Sequence, residues 1–131
     1  MMNSHGAHVM IDYTGLFSSQ ENLGQWILNL IEEAVDQSNA RRVHSHIEEF
    51  DGEKSPPGFA AVVLLDESHV SAHCYSQKGW LALDCFTCGN TDPNTIADYI
   101  DTGLKQQFPE LKLANRTEQS RFIHEVNQDG N

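Results

Sequence analysis

The sequence predicts an α+β fold, a two-layer sandwich in which an antiparallel sheet is covered on one face by two helices. Two patterns predict it. Short apolar or alternating runs separated by Gly, Pro, Asn and Asp are typical of strands, and two longer stretches repeat their apolar residues at helical spacing. The length of 131 residues is that of one domain with one hydrophobic core, so we expect residues 1–131 to form a single domain.

The two helices have clear signals. Apolar residues recur at helical spacing through residues 19–38, and Ser18 with a glutamate three residues later has the pattern of a capping box. Asp92 followed by Pro93 indicates the start of the second helix, because an acidic cap and a proline in the first turn are both favourable there. We expect this helix to end near Pro109.

The remaining regular segments are predicted as strands. They are residues 8–13, 42–50, 59–65, 69–75, 80–86 and 111–116. Residues 59–65 are apolar on both faces, as expected of a central strand, and residues 51–58 before them form a loop rich in turn residues. A turn at residues 76–79 makes the fourth and fifth strands a hairpin, which brings Cys88, just past its end, near Ser68. The polar tail, residues 117–131, is predicted to be frayed.

Charge and apolar pattern exclude two classes of partner. The net charge of −11 opposes binding to a phosphate backbone or to an anionic membrane surface. No apolar stretch approaches the length of a spanning helix, and the first residues lack the pattern of an export signal. We therefore expect a cytoplasmic protein with no nucleic-acid or membrane partner. Its three cysteines, Cys74, Cys85 and Cys88, are expected to be free thiols.

Ser68 lies between Glu67 and His69, at the connection between the predicted strands 59–65 and 69–75. Strand alternation places His69, Ser71, His73 and Tyr75 on one face, opposite Val70, Ala72 and Cys74. From the residues alone, Ser68 could be a strand-end serine bonded to backbone. A hydrolase that uses Cys88 as nucleophile and His73 as base also remains open at this point.

Cys85 and Cys88 have the spacing of half a zinc site, which His69, His73 and Cys74 would have to complete. Strand alternation directs Cys85 away from such a site, and the chain has a single pair with this spacing, so we expect no metal. A thioredoxin-like redox pair is also excluded, since no helix begins at the second cysteine.

Two motifs in a fixed order carry more information. They are Glu67-Ser68-His69 followed by His73, and Phe86-Thr87-Cys88-Gly89. Together they resemble the signature of the bacterial S-adenosylmethionine decarboxylase proenzymes. The resemblance extends from Gly6-Ala7-His8 at the first strand, through the long helix and the Pro-Gly loop, to about Leu113.

The resemblance implies that the chain cuts itself between Glu67 and Ser68. The Ser68 hydroxyl attacks the Glu67 carbonyl and converts the amide to an ester; a base then removes the Ser68 α-proton, and elimination leaves a dehydroalanine that hydrolyses to a pyruvoyl group. By resemblance His73 assists this processing, for which an imidazole is suited because its pKa lies near neutral pH. The products would be a β chain, residues 1–67, and an α chain, residues 68–131.

The resemblance further implies that this self-made pyruvoyl group is the cofactor. It would form a Schiff base with the amine of S-adenosylmethionine and accept the electrons released when CO2 leaves, feeding aminopropyl groups into spermidine synthesis. By resemblance Cys88 is the proton donor. For the adenine ring we expect stacking on Phe50, Phe59 or Tyr75, and for the sulfonium a neighbour such as Glu67 or Tyr75. The implied assembly is a dimer of processed αβ units with sites near the interface.

Two other functions remain open. One is a pyruvoyl-dependent decarboxylase of arginine or ornithine on the same fold, because Schiff-base decarboxylation is indifferent to the substrate side chain. The other is a non-catalytic regulatory partner of an active homologue, against which the joint presence of Ser68, His73 and Cys88 argues. One departure from the family stands out: Ala60 occupies the place of a serine that assists processing in some members, so we expect cleavage to be slower or to rely on Ser71 and water.

Overall fold

A computed structural model describes residues 1–127 and has the predicted architecture, an antiparallel sheet with two helices on one face. The prediction of an α+β sandwich is confirmed. In chain order the elements are β1 (Met2–Asn3), β2 (Gly6–Thr14), α1 (Leu23–Asp36), β3 (Arg42–Phe50), β4 (Gly58–Leu65), β5 (His69–Tyr75), β6 (Trp80–Cys88), α2 (Pro93–Gln107), β7 (Lys112–Arg121) and β8 (His124–Glu125).

The main sheet has six strands in the order β3-β4-β5-β6-β2-β7, and every neighbouring pair is antiparallel. Strands β3 to β6 follow one another as in the chain, whereas β2 lies between β6 and β7. The short strands β1 and β8 pair with each other in a separate two-stranded sheet. This order brings the N-terminal end of β2 beside the C-terminal end of β6, where Gly6 is paired with Cys88.

The core lies between the helices and one face of the sheet. Alternate residues of β2, β4, β5 and β6 are buried there, such as Val9, Val63 and Val70. The apolar stripes of α1 and α2 cover this face, as their helical spacing predicts. The opposite face, which we call the uncovered face, carries polar and aromatic side chains that include His73 and Trp80.

The first helix begins later than predicted. Its cap is Asn22, in the left-handed conformation at φ 61° and ψ 33°, with no side-chain cap hydrogen bond. The capping-box interpretation of Ser18 is wrong because its hydroxyl accepts a hydrogen bond from the Gln20 N–H inside the preceding turn. The second helix follows the prediction: Asp92 accepts from the Asn94 N–H at 2.9 Å and caps α2.

The C-terminal prediction needs the larger correction. Strand β7 continues to Arg121 along the length of β2, and His124–Glu125 forms β8, so residues 117–127 are not a frayed tail. The polar side chains of β7 misled the prediction because an edge strand needs only its backbone paired, and charged side chains suit an exposed edge. Residues 128–131 of the predicted tail lie outside the described residues.

Within residues 1–127, neither helix is long and apolar enough to cross a membrane.

Candidate active site

The connection between β4 and β5 is a tight turn that exposes its tip. The Leu65 N–H donates a hydrogen bond to the Ser68 carbonyl at 2.8 Å and closes the turn. Asp66 and Glu67 occupy the exposed tip, and Ser68 is half-buried where β5 begins. The peptide bond between Glu67 and Ser68 therefore lies at one end of the interior strands β4 and β5, which precede and follow it.

Cys88 is the last residue of β6 and reaches this turn. Its Sγ donates to the carbonyl oxygen of Glu67 at 3.5 Å, and the residue is only 5% exposed. Burial, assisted by the Glu67 carboxylate, raises the pKa of the Cys88 thiol above its ordinary value. The thiol is therefore protonated at neutral pH. The structure thus brings Cys88 next to Ser68, as the predicted hairpin requires, although Cys88 lies within the strand and not past its end.

His73 lies farther along β5, the strand that begins directly after Ser68. It follows Ser68 by five residues, which at about 3.3 Å per residue places it about 16 Å along β5. Its backbone is opposite Ala60 on β4 and Ala82 on β6, and its side chain is exposed on the uncovered face. Within one chain, the structure does not bring His73 to Ser68.

Aromatic rings surround His73 on the uncovered face. The His73 ring is stacked with Phe50 at a centroid distance of 6.4 Å and with Tyr75 at 5.3 Å. Tyr75 in turn meets Trp80 edge to face at 6.1 Å. Two of the three aromatic residues proposed for substrate stacking, Phe50 and Tyr75, therefore share one surface.

Phe59, the third candidate, points the other way. It is 3% exposed in the core between the sheet and α1, where its ring packs beside Gly24. The prediction that Phe59 contacts substrate is therefore contradicted: alternation along β4 places it on the covered face, while Ala60 occupies the uncovered one. A strand that is apolar on both faces does not reveal this orientation in the sequence.

A polar cluster beside Cys88 was missed from the sequence. The Nη1–H of Arg121 donates to His8 Nδ1 at 3.3 Å, so His8 donates through Nε2–H to Asp84 at 2.9 Å. The Arg121 guanidinium also lies 5.1 Å from the Phe86 ring, which in addition meets the rings of His8, His69 and Phe122. No sequence signal could show this cluster, since it depends on the register of β2 with β6 and β7.

His69 is shielded in this cluster. Burial lowers its pKa, and the neighbouring His8 adds to the shift. Its ring meets Phe86 edge to face at 5.6 Å. His69 is therefore neutral at physiological pH, and its ring contacts Phe86 on the face of β5 that also carries His73.

The cysteines do not converge on a metal site. Cys74 and Cys85 are buried in the core under the helices, where burial raises the pKa of Cys74 to about 11 and of Cys85 to about 12. Cys88 lies at the Glu67 turn instead. In the part of the chain that the structure describes, no three His, Cys, Asp or Glu residues are grouped so that they could hold a metal ion.

Comparison with known proteins gives the family. The model of the family described as S-adenosylmethionine decarboxylase matches residues 7–117, which include the Glu67 turn, His73 and Cys88. The chain belongs to the S-adenosylmethionine decarboxylase family. The resemblance inferred from the two motifs is thereby confirmed.

Individual relatives agree with this assignment over most of the chain. The S-adenosylmethionine decarboxylase proenzyme of Brevibacillus brevis is 35% identical over 106 residues, which span 80% of this chain and 77% of the relative. The proenzyme of Pyrococcus horikoshii is 32% identical over 129 residues, 95% of this chain and 90% of its own. The crystal structure of the adenosylmethionine decarboxylase from Aquifex aeolicus superposes with a TM-score of 0.68 at 28% identity, covering 98% of both chains.

Proposed function

We propose that this member of the family is an S-adenosylmethionine decarboxylase that makes its own pyruvoyl cofactor by cutting between Glu67 and Ser68. The observation that carries the proposal is the contact of the Cys88 thiol with the Glu67 carbonyl at 3.5 Å. It joins the two family motifs, twenty residues apart in sequence, at one peptide bond. The cut would leave a β chain of residues 1–67 and an α chain of residues 68–131, and the product would supply aminopropyl groups for spermidine synthesis.

The turn suits self-cleavage. A serine hydroxyl that attacks the preceding carbonyl closes a five-membered ring, so Ser68 needs no movement of other elements to reach Glu67. The tip is open to water, which the later hydrolysis step consumes. The strands on both sides remain paired with β3 and β6 after the cut, so the new ends stay in place.

The residues around Ser68 fit a pyruvoyl group there. When formed, that group supplies an electrophilic carbonyl that accepts electrons as CO2 leaves. Cys88 holds a proton beside it, because burial keeps the thiol protonated. A proton donor at this position favours protonation of the substrate carbon, which keeps the cofactor intact over many turnovers.

The aromatic surface fits an adenine ring. The rings of Phe50 and His73 are stacked on each other, with their centroids 6.4 Å apart and their planes inclined by 22°. A purine would stack on the exposed rings of this group, His73 and Tyr75. Tyr75 and Trp80 beside them offer π faces to a cationic sulfonium. These contacts support S-adenosylmethionine over arginine and ornithine, which have no ring to stack.

His73 has a role in this scheme only if two chains combine. At about 16 Å along the strand from Ser68 it cannot act on its own chain. It is exposed on the uncovered face beside the exposed Tyr75 and the half-buried Phe50, a surface of the kind that a second copy buries. We therefore include a homodimer in the proposal, with the partner's His73 serving the Ser68 of this chain.

A cytoplasmic location belongs to the same proposal. Cys74, Cys85 and Cys88 are all free thiols, as a reducing compartment maintains them.

The first test is the intact mass of the purified protein beside a Ser68→Ala control. The proposal expects two fragments divided after Glu67, with the C-terminal one lighter by ammonia than a fragment that begins with serine. Released CO2 is then measured with S-adenosylmethionine, arginine and ornithine in parallel. An uncut chain after long incubation would refute self-processing, whereas cleavage followed by turnover of arginine or ornithine alone would refute only the substrate.

Mixed dimers test the role of His73. Neither His73→Ala nor Ser68→Ala is expected to cut when pure. After subunit exchange, the His73→Ala chain should be cut, because it keeps Ser68 and meets the partner's His73. If the mixture stays uncut although exchange is demonstrated by a tag, the shared site is wrong.

A further inference from the structure

We propose that Phe122 is a positioning residue for the Cys88 thiol: it holds the Phe86 ring in place as a wall that keeps water from that thiol. The inference rests on the proposed function, in which Cys88 holds the proton for the substrate carbon. Phe122 lies beyond residues 7–117, which the family model matches, and neither sequence motif contains it.

The backbone at Phe122 is strained. Among residues 1–127 other than glycine, only Asn22 and Phe122 have a positive φ, and that of Phe122 is 53°. Asparagine visits this left-handed region readily, whereas a bulky side chain does so at a cost in free energy. Such a conformation persists only where the surrounding structure imposes it. Here β7 ends at Arg121, β8 begins at His124, and β8 is paired with β1, so both sides of the kink are anchored.

The kink brings two consecutive side chains to one ring. In a regular strand Arg121 and Phe122 would point to opposite faces of the sheet. In the structure the Arg121 guanidinium lies 5.1 Å from the centroid of the Phe86 ring, and the Phe122 ring lies 5.8 Å from it with the planes inclined by 34°. The rings of His8 and His69 meet Phe86 at 5.7 and 5.6 Å. Phe86 is therefore held from several sides, and its contact with Phe122 depends on the strained backbone.

The Phe86 ring in turn adjoins the Cys88 thiol. The two residues are two apart on β6 and so lie on the same face of the sheet. A Cβ added to Gly6 would lie 3.3 Å from Phe86 Cε1 and 3.3 Å from Cys88 Sγ, so the ring edge and the sulfur meet the same point of the β2 backbone. Because Cys88 is 5% exposed, the ring is part of what shields its thiol. A ring released from Phe122 would open this place to water.

Exclusion of water matters for the reaction because water is a competing source of protons. A proton that passes from the thiol to the substrate carbon leaves the cofactor intact. A proton that reached the cofactor carbon instead would, after hydrolysis, leave the substrate nitrogen on the α chain, whose first residue would become alanine, and release the rest of the decarboxylated substrate as an aldehyde. A thiol that is fixed in place and kept dry favours the first outcome.

The first test measures the shielding of the thiol in a chain that makes no cofactor. The background is Ser68→Ala, which removes the nucleophile of self-cleavage. Phe122→Asn removes the ring and suits the left-handed backbone, Phe122→Tyr keeps the ring, and Ile123→Ala is the matched control, since Ile123 is the neighbouring apolar residue and is 53% exposed. Rates of alkylation of Cys88 and Cys85 by iodoacetamide are measured by peptide mapping, beside thermal unfolding.

We expect Phe122→Asn to be alkylated at Cys88 at least about threefold faster than the parent, with no change at Cys85, because the opening is local. Phe122→Tyr and Ile123→Ala should match the parent. The Tm of Phe122→Asn should stay within about 2 °C, because asparagine tolerates the backbone and the lost ring is 59% exposed. An unchanged rate at Cys88 would overturn the inference. A parallel rise at Cys85 would overturn it as well, because Phe122 would then only stabilise the fold.

Chains that retain Ser68 test the consequence for the reaction. Per CO2 released, Phe122→Asn should accumulate alanine at the start of the α chain at least about threefold faster than the parent, with KM for S-adenosylmethionine near the parental value. Equal accumulation in the two would overturn the role of Phe122 in protonation. A parent that neither cuts nor releases CO2 would refute the proposed function, whereas the alkylation rates of the uncut chain decide in either case whether Phe122 shields Cys88.

Discussion

Tyr13 links the sheet to α2 through a buried hydrogen bond, and Tyr13→Phe, which removes that bond, should lower the stability of the fold. Tyr13 is 1% exposed, and its hydroxyl donates to Asp101 at 2.6 Å. A hydrogen bond to a charged group contributes about 1.5–3 kcal/mol. The lower part of that range, about 1.5–2 kcal/mol, applies here because the Asp101 side chain is 16% exposed and keeps Lys105 at 2.8 Å.

The expected change in melting temperature follows from the size of the chain. An unfolding entropy of about 2.1 cal/mol/K per residue gives about 0.28 kcal/mol/K for this length, so Tyr13→Phe should lower Tm by about 5–7 °C. The assay is thermal unfolding at pH 7 in a Ser68→Ala background, where the chain stays uncut. Tyr99→Phe is the matched control: it is 39% exposed and 3.5 Å from Glu33, so its Tm should stay within about 1 °C.

The pH dependence has a definite sign. Burial and Asp101 raise the pKa of Tyr13 above its ordinary value near 10, so the folded state keeps the proton while the unfolded chain loses it above that pH. The stabilisation by Tyr13 is therefore fully present below pH 10 and is lost as pH rises. The Tm difference between the parent and Tyr13→Phe should shrink above pH 10. A Tm change below 2 °C at neutral pH, or a gap that widens with alkali, would refute the reasoning.

Three further predictions concern the site. Ala60→Ser should speed self-cleavage several-fold by placing a hydroxyl beside His73, whereas Ala82→Ser on the other flanking strand should not; equal acceleration by both would contradict it. Phe50→Ala should raise KM for S-adenosylmethionine in steady-state kinetics, with little loss of stability. Phe59→Ala should instead lower the free energy of unfolding by about 3–5 kcal/mol, as measured by urea unfolding, because Phe59 is buried in the core. Alkylation by iodoacetamide should be slow for all three thiols at pH 7 and should modify Cys88 first as pH rises, because Cys74 and Cys85 in the core have pKa values of about 11 and 12. Peptide mapping that finds Cys85 modified first would oppose this.

The part of the site that could be predicted depends on local pairing. Strands β4, β5 and β6 are consecutive in the chain and adjacent in the sheet, so two short connections fix their register. Once residues 69–75 and 80–86 form a hairpin, Cys88 must lie near Ser68. The face of each β5 side chain follows from alternation in the same way, and His73 and Cys74 lie on opposite faces as predicted.

What could not be predicted depends on distant pairing or on ambiguous alternation. The insertion of β2 between β6 and β7 joins residues about 110 positions apart, and only this brings His8 to Asp84 and Arg121. Phe59 was named as a candidate for substrate stacking although it packs in the core, because a strand that is apolar on both sides does not show which residues face the helices. Residues 117–121 were not predicted as a strand because their side chains are polar, and a polar edge strand resembles a tail in sequence.

The division of the sheet into two faces explains why its chemistry can be tested without unfolding it. The covered face holds the apolar contacts that stabilise the fold, so changes at Phe59 or Cys85 act on stability first. The uncovered face holds the exposed His73 and Tyr75 and the half-buried Phe50, all outside the core, so a substitution there removes a functional group and few core contacts. Cys88 belongs to neither class: it is buried, but against the turn and outside the main core. That is why serine, which keeps a donor of similar size, is the informative replacement at position 88, and alanine alone would leave packing and hydrogen bonding unresolved.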